Sequence, residues 1–265
     1  PSGTSNRNQF YTMLEKQDIT HLLWGTSTAK TCTLSFWVKS SVAGTYTLWF
    51  RYYGATTYSY YTNYTINSAN TWEKKVIPIT GHTSGGNVDA TLTDAGLLVE
   101  WNLGVSSGNE TGTLNEWTTS STIRAAAGSV FLPENSGATW YITGVQFEVG
   151  SQATAFEHRS FGDELALCQR YFVNLSPRYM AGQYLISNEI CSQFVTFPVR
   201  MRTTPTATHG ALSYRENAGS FSNSTVSSNY TLTNKGINYV LNASGASTSD
   251  SFVIYANNVN YDAEL

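Results

Sequence analysis

The chain has 265 residues, a formal net charge of −3 and a pI near 5.8, so it lacks the basic surface that binds a nucleic-acid backbone. Charged residues make up 12% of the sequence and aromatic residues 14%, against about 25% charged residues in an average soluble domain. Hydroxyl, amide and aromatic groups in this proportion favour a binding protein over an enzyme. No apolar run approaches the ~20 residues that span a bilayer, so membrane insertion is not expected.

Alternating apolar and polar side chains predict strands through the first half of the chain. Residues 31–40 place Trp37 on the polar face of a strand, and residues 45–53 do the same with Trp49. Because only a short glycine-containing segment separates these two strands, they are expected to pair antiparallel. Pro78 predicts an edge strand or a bulge at its position. Further strands are predicted at 60–66, 72–79, 96–103, 129–132 and 138–149.

One segment departs from the alternation and predicts a short helix at 160–172. Ser160 is a suitable N-cap, and the acidic residues of the first turn, Asp163 and Glu164, suit the helix dipole. The chain end from Tyr261 onward is expected to pair as a final strand. Other strands after the helix are predicted at 179–188, 193–199, 206–214, 229–233, 238–242 and 251–257.

These elements predict an all-β protein: a jelly-roll or β-sandwich domain at 1–159, then the helix and a smaller C-terminal β-sandwich at 160–265. Cys32, Cys168 and Cys191 are expected to be buried, reduced thiols, because their odd number and wide spacing fit neither a disulfide framework nor a zinc site. The dispersed histidines show no metal-binding spacing, and no nucleophile elbow or Walker loop occurs. Neither enzyme activity nor a cofactor is expected.

Several stretches of the sequence resemble a known family. They are LSFWVK at 34–39 with WEKK at 72–75, YITGVQFEVGSQATAFEH at 141–158, and ELALCQRYF at 164–172 with FPVRMRTTPT at 197–206 and the closing Ala263, Glu264 and Leu265. In this order they resemble the distal region of marine-phage and cyanophage tail fibre and spike proteins. The resemblance implies a carbohydrate-binding-like jelly roll, a short ELALCQRY helix and a compact C-terminal β-domain.

The resemblance also implies a function. The expected role is that of a non-enzymatic fibre or spike protein on a bacteriophage virion, a homotrimer that binds a host cell-surface glycan for attachment. Pro1 is not a native start residue, so the chain is expected to be a fragment or a processed product, with other virion proteins upstream as partners. Two alternatives are open: a structural capsid or tail decoration protein without a ligand, and the binding module of a polysaccharide depolymerase.

Aromatic and amide side chains supply the candidate glycan-binding residues. Trp37 and Trp49 fit a sugar-stacking platform, a subunit interface or ordinary packing. The stretch 52–64 has the Tyr and Ser mixture of antibody loops, with cross-strand packing as its alternative; its candidates are Tyr58, Tyr60, Tyr61 and Tyr64. The polar loop 104–117 fits either a glycan groove or a solvated connection; its candidates are Asn109, Asn115 and Trp117.

Two further sites are predicted after residue 140. Leu165, Cys168 and Phe172 fall at positions i, i+3 and i+7, and this apolar stripe is a candidate trimer interface. Glu148 is a candidate ligand for a structural Ca²⁺, although no Asp-rich loop supplies the six to eight oxygens that this ion prefers. A surface glutamate without a metal is the alternative.

Overall fold

The structure is a computed structural model, and it describes most of the chain. The described residues are 7–88, 94–105, 109–111, 113–119, 125–175, 178–186, 189–217, 219, 221–224, 231–243, 252–256 and 259–264. The chain forms two compact units, which we call the first unit (Pro1–Glu157) and the second unit (His158–Glu264).

The first unit is a β-sandwich with little helix. Its strands are β1 (Arg7–Glu15), β2 (Cys32–Ser40), β3 (Gly44–Tyr53), β4 (Thr57–Ile66), β5 (Glu73–Ile79), β6 (Ala95–Val105), β7 (Glu110–Thr111), β8 (Trp117–Thr118), β9 (Ala125–Ala126) and β10 (Trp140–Val149). A short helix α1 (Lys16–Ile19) and two 3-10 turns (Thr20–Leu22 and Leu132–Glu134) connect them. The described strands form a five-stranded sheet in the order β1-β6-β3-β4-β8, a three-stranded sheet β10-β2-β5, and the short parallel pair β7 and β9.

The core of the first unit lies between the two larger sheets. Alternate residues of β2, such as Phe36, pack against alternate residues of β3 and β6, such as Phe50 and Trp101. Phe36 and Trp101 meet edge to face, with ring centroids 5.6 Å apart. This is the packing expected when two sheets bury one face each.

The other face of the five-stranded sheet is also covered. Trp49 and Tyr61 stack with ring centroids 6.2 Å apart and nearly parallel planes, and both are buried together with Leu98. Met13 and Leu114 pack against this small cluster from other segments. The central strands of this sheet are therefore buried on both faces.

The second unit begins with helix α2 (Phe161–Gln169) and continues in short strands. They are β11 (Phe172–Asn174), β12 (Arg178–Ile186), β13 (Glu189–Ser192), β14 (Val195–Thr196), β15 (Thr206–Thr208), β16 (Leu212–Glu216), β17 (Ser222–Ser224), β18 (Thr231–Thr233), β19 (Gly236–Asn238), β20 (Val240–Asn242), β21 (Phe252–Ala256) and β22 (Asn260–Asp262). In the described residues, a six-stranded sheet runs β17-β16-β21-β12-β13-β20, and two smaller sheets run β11-β22-β15 and β14-β19-β18. Their apolar core includes Ile190, Leu241 and Ile254.

The all-β fold class is confirmed, and β22 pairs near the chain end as expected. Pro78 lies on β5, which is an edge strand of the described three-stranded sheet and so tolerates a residue without an N–H. Among the described residues, no helix is both long enough and apolar enough to cross a membrane.

The predicted pairing of the strands at 31–40 and 45–53 was wrong. β2 pairs with β10 and β5, whereas β3 pairs with β4 and β6. The connection from Ser41 to Ala43 therefore carries the chain from one sheet to the other. β2 and β3 bury their apolar side chains in the same core from opposite sides. Alternating apolar and polar residues are equally compatible with this arrangement and with a hairpin, so the sequence pattern does not distinguish them.

Other predicted boundaries also need correction. The helix ends at Gln169 rather than at residue 172, because Phe172 pairs with Asp262 and the neighbouring Tyr171 carbonyl accepts a hydrogen bond from the Ala263 amide. The predicted strand 206–214 is divided between β15 and β16, which belong to different sheets. Residues 129–132 are not a strand, and β1 was not predicted.

Candidate functional site: an exposed aromatic face

Two of the seven tryptophans stand out by their exposure, and both belong to the outer side of the three-stranded sheet. Trp37 is 43% exposed and Trp72 is 42% exposed, and Tyr141 nearby is 48% exposed. By contrast, Trp24, Trp49 and Trp101 are buried. We call the group Trp37, Lys39, Trp72 and Tyr141 the aromatic face.

Strand register brings these side chains together. Lys39 lies opposite Tyr141 on β10, and Trp37 lies two residues before Lys39 on the same side of β2. Trp72 immediately precedes β5, which flanks β2 on its other edge. The ring centroids of Trp72 and Tyr141 are 6.5 Å apart. Residues that are distant in sequence thus form one surface through three neighbouring strands.

Lys39 is held between two of the rings. Its Nζ lies 4.8 Å from the Tyr141 ring centroid and 5.3 Å from that of Trp72. Both distances are within the range of a cation–π interaction. The ammonium group is therefore oriented by the rings, and it places a hydrogen-bond donor between them.

A β-bulge in β10 shapes the middle of the aromatic face. The register with β2 shifts between Thr143 and Gln146. Gly144 adopts φ +58° within this bulge, and a Cβ placed there would lie 3.3 Å from the Trp37 ring. A residue with a side chain would be strained in this backbone conformation and would press on Trp37.

The segment after β10 folds back beside the aromatic face and is fixed by two polar side chains. The Glu148 carboxylate accepts hydrogen bonds from the Thr154 amide (2.9 Å), the Thr154 hydroxyl (2.7 Å) and the Gln146 side-chain amide (3.0 Å). Gln146 Oε1 in turn accepts from the Glu157 amide at 2.8 Å. The bonds from Gln146 and Thr154 lower the pKa of Glu148.

Glu148 therefore anchors a backbone segment with its carboxylate oxygens. Within the described part of the chain, no three His, Cys, Asp or Glu side chains come together as possible metal ligands. The predicted calcium role of Glu148 remains a prediction.

Three of the four candidate tyrosines are buried. Tyr60 and Tyr64 point into the sandwich core, and Tyr61 packs on Trp49 on the other face of the same sheet. The alternative of cross-strand packing thus accounts for these residues and for Trp49. Because β2 and β3 lie in different sheets, Trp37 and Trp49 do not form a joint platform.

The fourth tyrosine, Tyr58, lies in a mixed cluster with His82 and Trp117. The rings of Tyr58 and His82 have centroids 3.8 Å apart, and those of His82 and Trp117 are 5.4 Å apart. Burial lowers the pKa of His82. Trp117 donates its indole N–H to the Thr80 carbonyl at 2.8 Å, so this cluster fastens a loop to the sandwich.

The two candidate asparagines also make local contacts. Asn115 has φ +62°, accepts a hydrogen bond from the Thr62 hydroxyl at 2.8 Å, and donates its amide to the Tyr61 carbonyl. Asn109 accepts a backbone hydrogen bond from Ala125. Residues 106–108 and 112 of the predicted loop lie outside the described residues.

Helix α2 exposes its apolar side chains. Leu165 is 42% exposed and Phe172, now on β11, is 45% exposed. Cys168 is exposed, Cys191 is half-buried and Cys32 is buried, so the expectation of buried thiols holds for Cys32 and fails for Cys168. The predicted stripe is thus available for a partner, and its role as a trimer interface remains a prediction.

Comparisons with known proteins give little similarity. No family model matches the chain, and no curated protein matches it. Among solved structures, the recombinant discoidin II of Dictyostelium discoideum is similar at 11% identity over 88% of this chain and 75% of that chain, with a TM-score of 0.18. A TM-score this low does not establish a shared fold.

The sequence pattern predicts one of the four residues of the aromatic face, Trp37, as a candidate and does not single out the others. Trp37 was recognised because it interrupts the polar side of an alternating strand. Lys39 alternates on that same side, whereas Trp72 and Tyr141 are far away in sequence. Only the order of the strands in the sheet brings them together.

Proposed function

We propose that the chain binds a carbohydrate non-covalently through the aromatic face. The observation that carries this proposal is the shared exposure of Trp37, Trp72 and Tyr141 on one side of a three-stranded sheet. Large rings in water are costly to leave uncovered, and a group of them marks a binding surface. The C–H groups on one face of a sugar ring stack on such rings, and its hydroxyls remain available for hydrogen bonds.

Lys39 gives the aromatic face its polar component. Its ammonium carries up to three donors, and its contacts with Trp72 and Tyr141 limit the number of positions it can adopt. A sugar stacked on either ring places its hydroxyl or carboxyl oxygens near this group. The face thus combines apolar area with a fixed donor, as binding sites for small polar ligands commonly do.

The proposed setting is the surface of a bacteriophage virion, where the chain acts without catalysis as part of a fibre or spike and attaches to a host glycan. The sequence resemblance of the ELALCQRYF and YITGVQFEVG stretches supports this setting. A homotrimer is proposed as well, with the exposed Leu165 and Cys168 of α2 contacting other copies. Three linked sites would convert weak individual binding into avidity gains of about 10²–10⁴.

The test is a set of alanine variants at Trp37, Trp72 and Tyr141, with Tyr11→Ala as the matched control. Tyr11 is an equally exposed tyrosine, at 47%, on β1 of the other sheet. Each substitution on the aromatic face is expected to weaken binding to a host glycan by roughly tenfold. The variants should retain the wild-type circular dichroism spectrum.

Binding is measured with immobilised host lipopolysaccharide and capsular polysaccharide, and by competition of the free protein with phage adsorption. Retained binding in the Trp37→Ala, Trp72→Ala double variant would refute the assignment of the site. Loss of oligomerisation in that variant, with no glycan bound by the wild type, would instead identify a subunit interface. Release of shortened oligosaccharides by the wild-type protein would overturn the non-enzymatic role.

A further inference from the structure

The second unit carries an aromatic surface of its own on the six-stranded sheet. Tyr179 on β12 is 66% exposed, and Phe221, just before β17, is 41% exposed. Tyr179 lies 4.9 Å from Tyr255 and 6.1 Å from Phe221, and Tyr255 and Phe221 are also 6.1 Å apart, measured between ring centroids. Each of the three rings therefore contacts the other two.

The strand order places Tyr179 and Tyr255 in the interior of the sheet. Tyr255 on β21 lies opposite Tyr179 on one side and opposite Ser213 of β16 on the other. Neighbouring residues of β21, such as Ile254, point to the opposite face and into the core. Tyr179 and Tyr255 are thus held by strands whose positions the core fixes, and Phe221 packs on both from the residue before β17.

Arg215 is the charged member of the surface. Its guanidinium carbon lies 5.2 Å from the Phe221 ring centroid, and Arg215 lies opposite Val253, two residues from Tyr255 on the same side of β21. The Arg215 Nε is buried, and no described residue accepts a hydrogen bond from it. Among the described residues, no carboxylate forms an ion pair with Arg215.

An arginine in this state is suited to an anionic ligand. The guanidinium is planar, remains charged at any physiological pH and binds a carboxylate through two parallel hydrogen bonds. Because Nε itself is buried, a ligand carboxylate would pair with the terminal Nη groups of the guanidinium. The adjacent rings supply a flat apolar surface for the rest of such a ligand.

We infer that the cluster of Tyr179, Arg215, Phe221 and Tyr255 is a second ligand site, specific for an acidic saccharide such as a uronic acid. A sugar ring stacks on the exposed Tyr179 or Phe221, and its carboxylate pairs with Arg215. This site lies in the second unit and does not depend on the aromatic face of the first unit. We call it the acidic-sugar site.

Two other ligand classes fit the same surface less well. An extended peptide pairs with the edge of a sheet, whereas Tyr179 and Tyr255 lie on interior strands. Single-stranded nucleic acid stacks on aromatic rings but needs a basic groove along its backbone. Residues 158–264 contain seven Arg and Lys against seven Asp and Glu, and the cluster itself contributes one cation, Arg215, which matches the single carboxylate of one uronate rather than a row of phosphates.

The experiment uses the whole chain and oligosaccharides of glucuronate, galacturonate and mannuronate, each compared with its carboxyl-reduced form. Affinity is measured by calorimetry. Arg215→Gln is expected to weaken uronate binding by about 10- to 100-fold, and Tyr179→Ala by roughly tenfold. Arg200→Gln, at an exposed arginine outside the cluster, serves as the charge-matched control and should bind like the wild type.

The outcomes separate the two proposed sites. The Trp37→Ala, Trp72→Ala variant should keep its Arg215-dependent binding even if the aromatic face binds no sugar at all. Equal affinity for uronates and their carboxyl-reduced forms, no uronate binding by the wild type, or unchanged binding in Arg215→Gln would each overturn the acidic-sugar site. Equally tight, Arg215-dependent binding of a hexaglutamate peptide would overturn its assignment to a saccharide.

Discussion

Glu73 provides a quantitative test of how the first unit is held together. Its carboxylate accepts hydrogen bonds from the backbone amides of Asn67 and Ser68 at 2.8 and 2.9 Å, and from the Asn67 side-chain amide at 2.8 Å. The Lys75 ammonium lies 2.7 Å from the same carboxylate. One side chain at the start of β5 thus fixes the turn that follows β4.

These contacts hold the pKa of Glu73 at about 2, below its ordinary value of 4.5, with the hydrogen bond from Lys75 as the largest cause. Each tenfold change in proton affinity corresponds to about 1.4 kcal/mol; because the carboxylate lies near the surface and is screened by solvent, its ionised form stabilises the fold by roughly 1–2 kcal/mol. Because the pKa is lowered on folding, this stabilisation is fully present above pH 4.5. It is lost as the pH falls towards 2.

Glu73→Gln should lower the free energy of unfolding of the first unit by roughly 1–2 kcal/mol at pH 7. In the wild type, one carboxylate oxygen accepts from both the Asn67 side-chain amide and Lys75. A glutamine N–H₂ group in that position would face these two donors and could accept from neither. The difference from the wild type should shrink steadily as the pH is lowered from 4.5. If the substitution acted only through lost hydrogen bonds and not through the lost charge, the difference in unfolding free energy between the wild type and the variant would be independent of pH.

The assay is urea unfolding followed by tryptophan fluorescence between pH 3 and 8. All seven tryptophans precede residue 158, so the signal reports on the first unit alone. Glu116→Gln, at an exposed glutamate of the same unit, is the control and should remain within about 0.5 kcal/mol of the wild type. A Glu73→Gln deficit that stays constant from pH 7 to pH 3 would refute the reasoning.

Two further predictions concern the backbone and the thiols. Gly25→Ala should destabilise the first unit by at least about 2 kcal/mol, because Gly25 has φ +85° and a Cβ would clash with the Gly86 carbonyl. Gly128→Ala is the control, since Gly128 also has a positive φ but open space around it. It should lower the free energy of unfolding by about 1 kcal/mol in the same urea assay. Burial raises the pKa of Cys32 to about 12, so a thiol reagent should modify exposed Cys168 at least about 100-fold faster, as peptide mapping will show. Protection of Cys168 at high protein concentration, relieved on dilution, would support the trimer; equal labelling of Cys32 would contradict the burial.

Periodicity in the sequence was sufficient for the fold class and for most strands of the first unit. β3, β4 and β6 alternate over nine or more residues, so their apolar rows are evident without knowledge of their partners. β1 was missed because its side chains are mostly exposed along its length, which leaves no buried row to recognise. Among the short strands β14 to β20, the predicted strands overlap β14, β15, β16, β18 and β20, whereas β17 and most of β19 were not predicted, because three residues carry too little pattern to reveal a strand.

Trp37 and Trp49 show why the candidate site was harder to predict than the strands. Both tryptophans occupy the polar side of an alternating strand, and both strands lie in the interior of their sheets. Trp37 is 43% exposed because the outer side of the three-stranded sheet is left partly open, whereas Trp49 is 2% exposed because Leu98 and Leu114 help cover it. What covers a sheet face depends on segments far away in sequence. An aromatic residue on the polar side of a strand therefore predicts that something packs on that side of the sheet. Only the tertiary structure shows whether another segment of the protein covers the residue, as at Trp49, or whether it is left open to a ligand, as at Trp37.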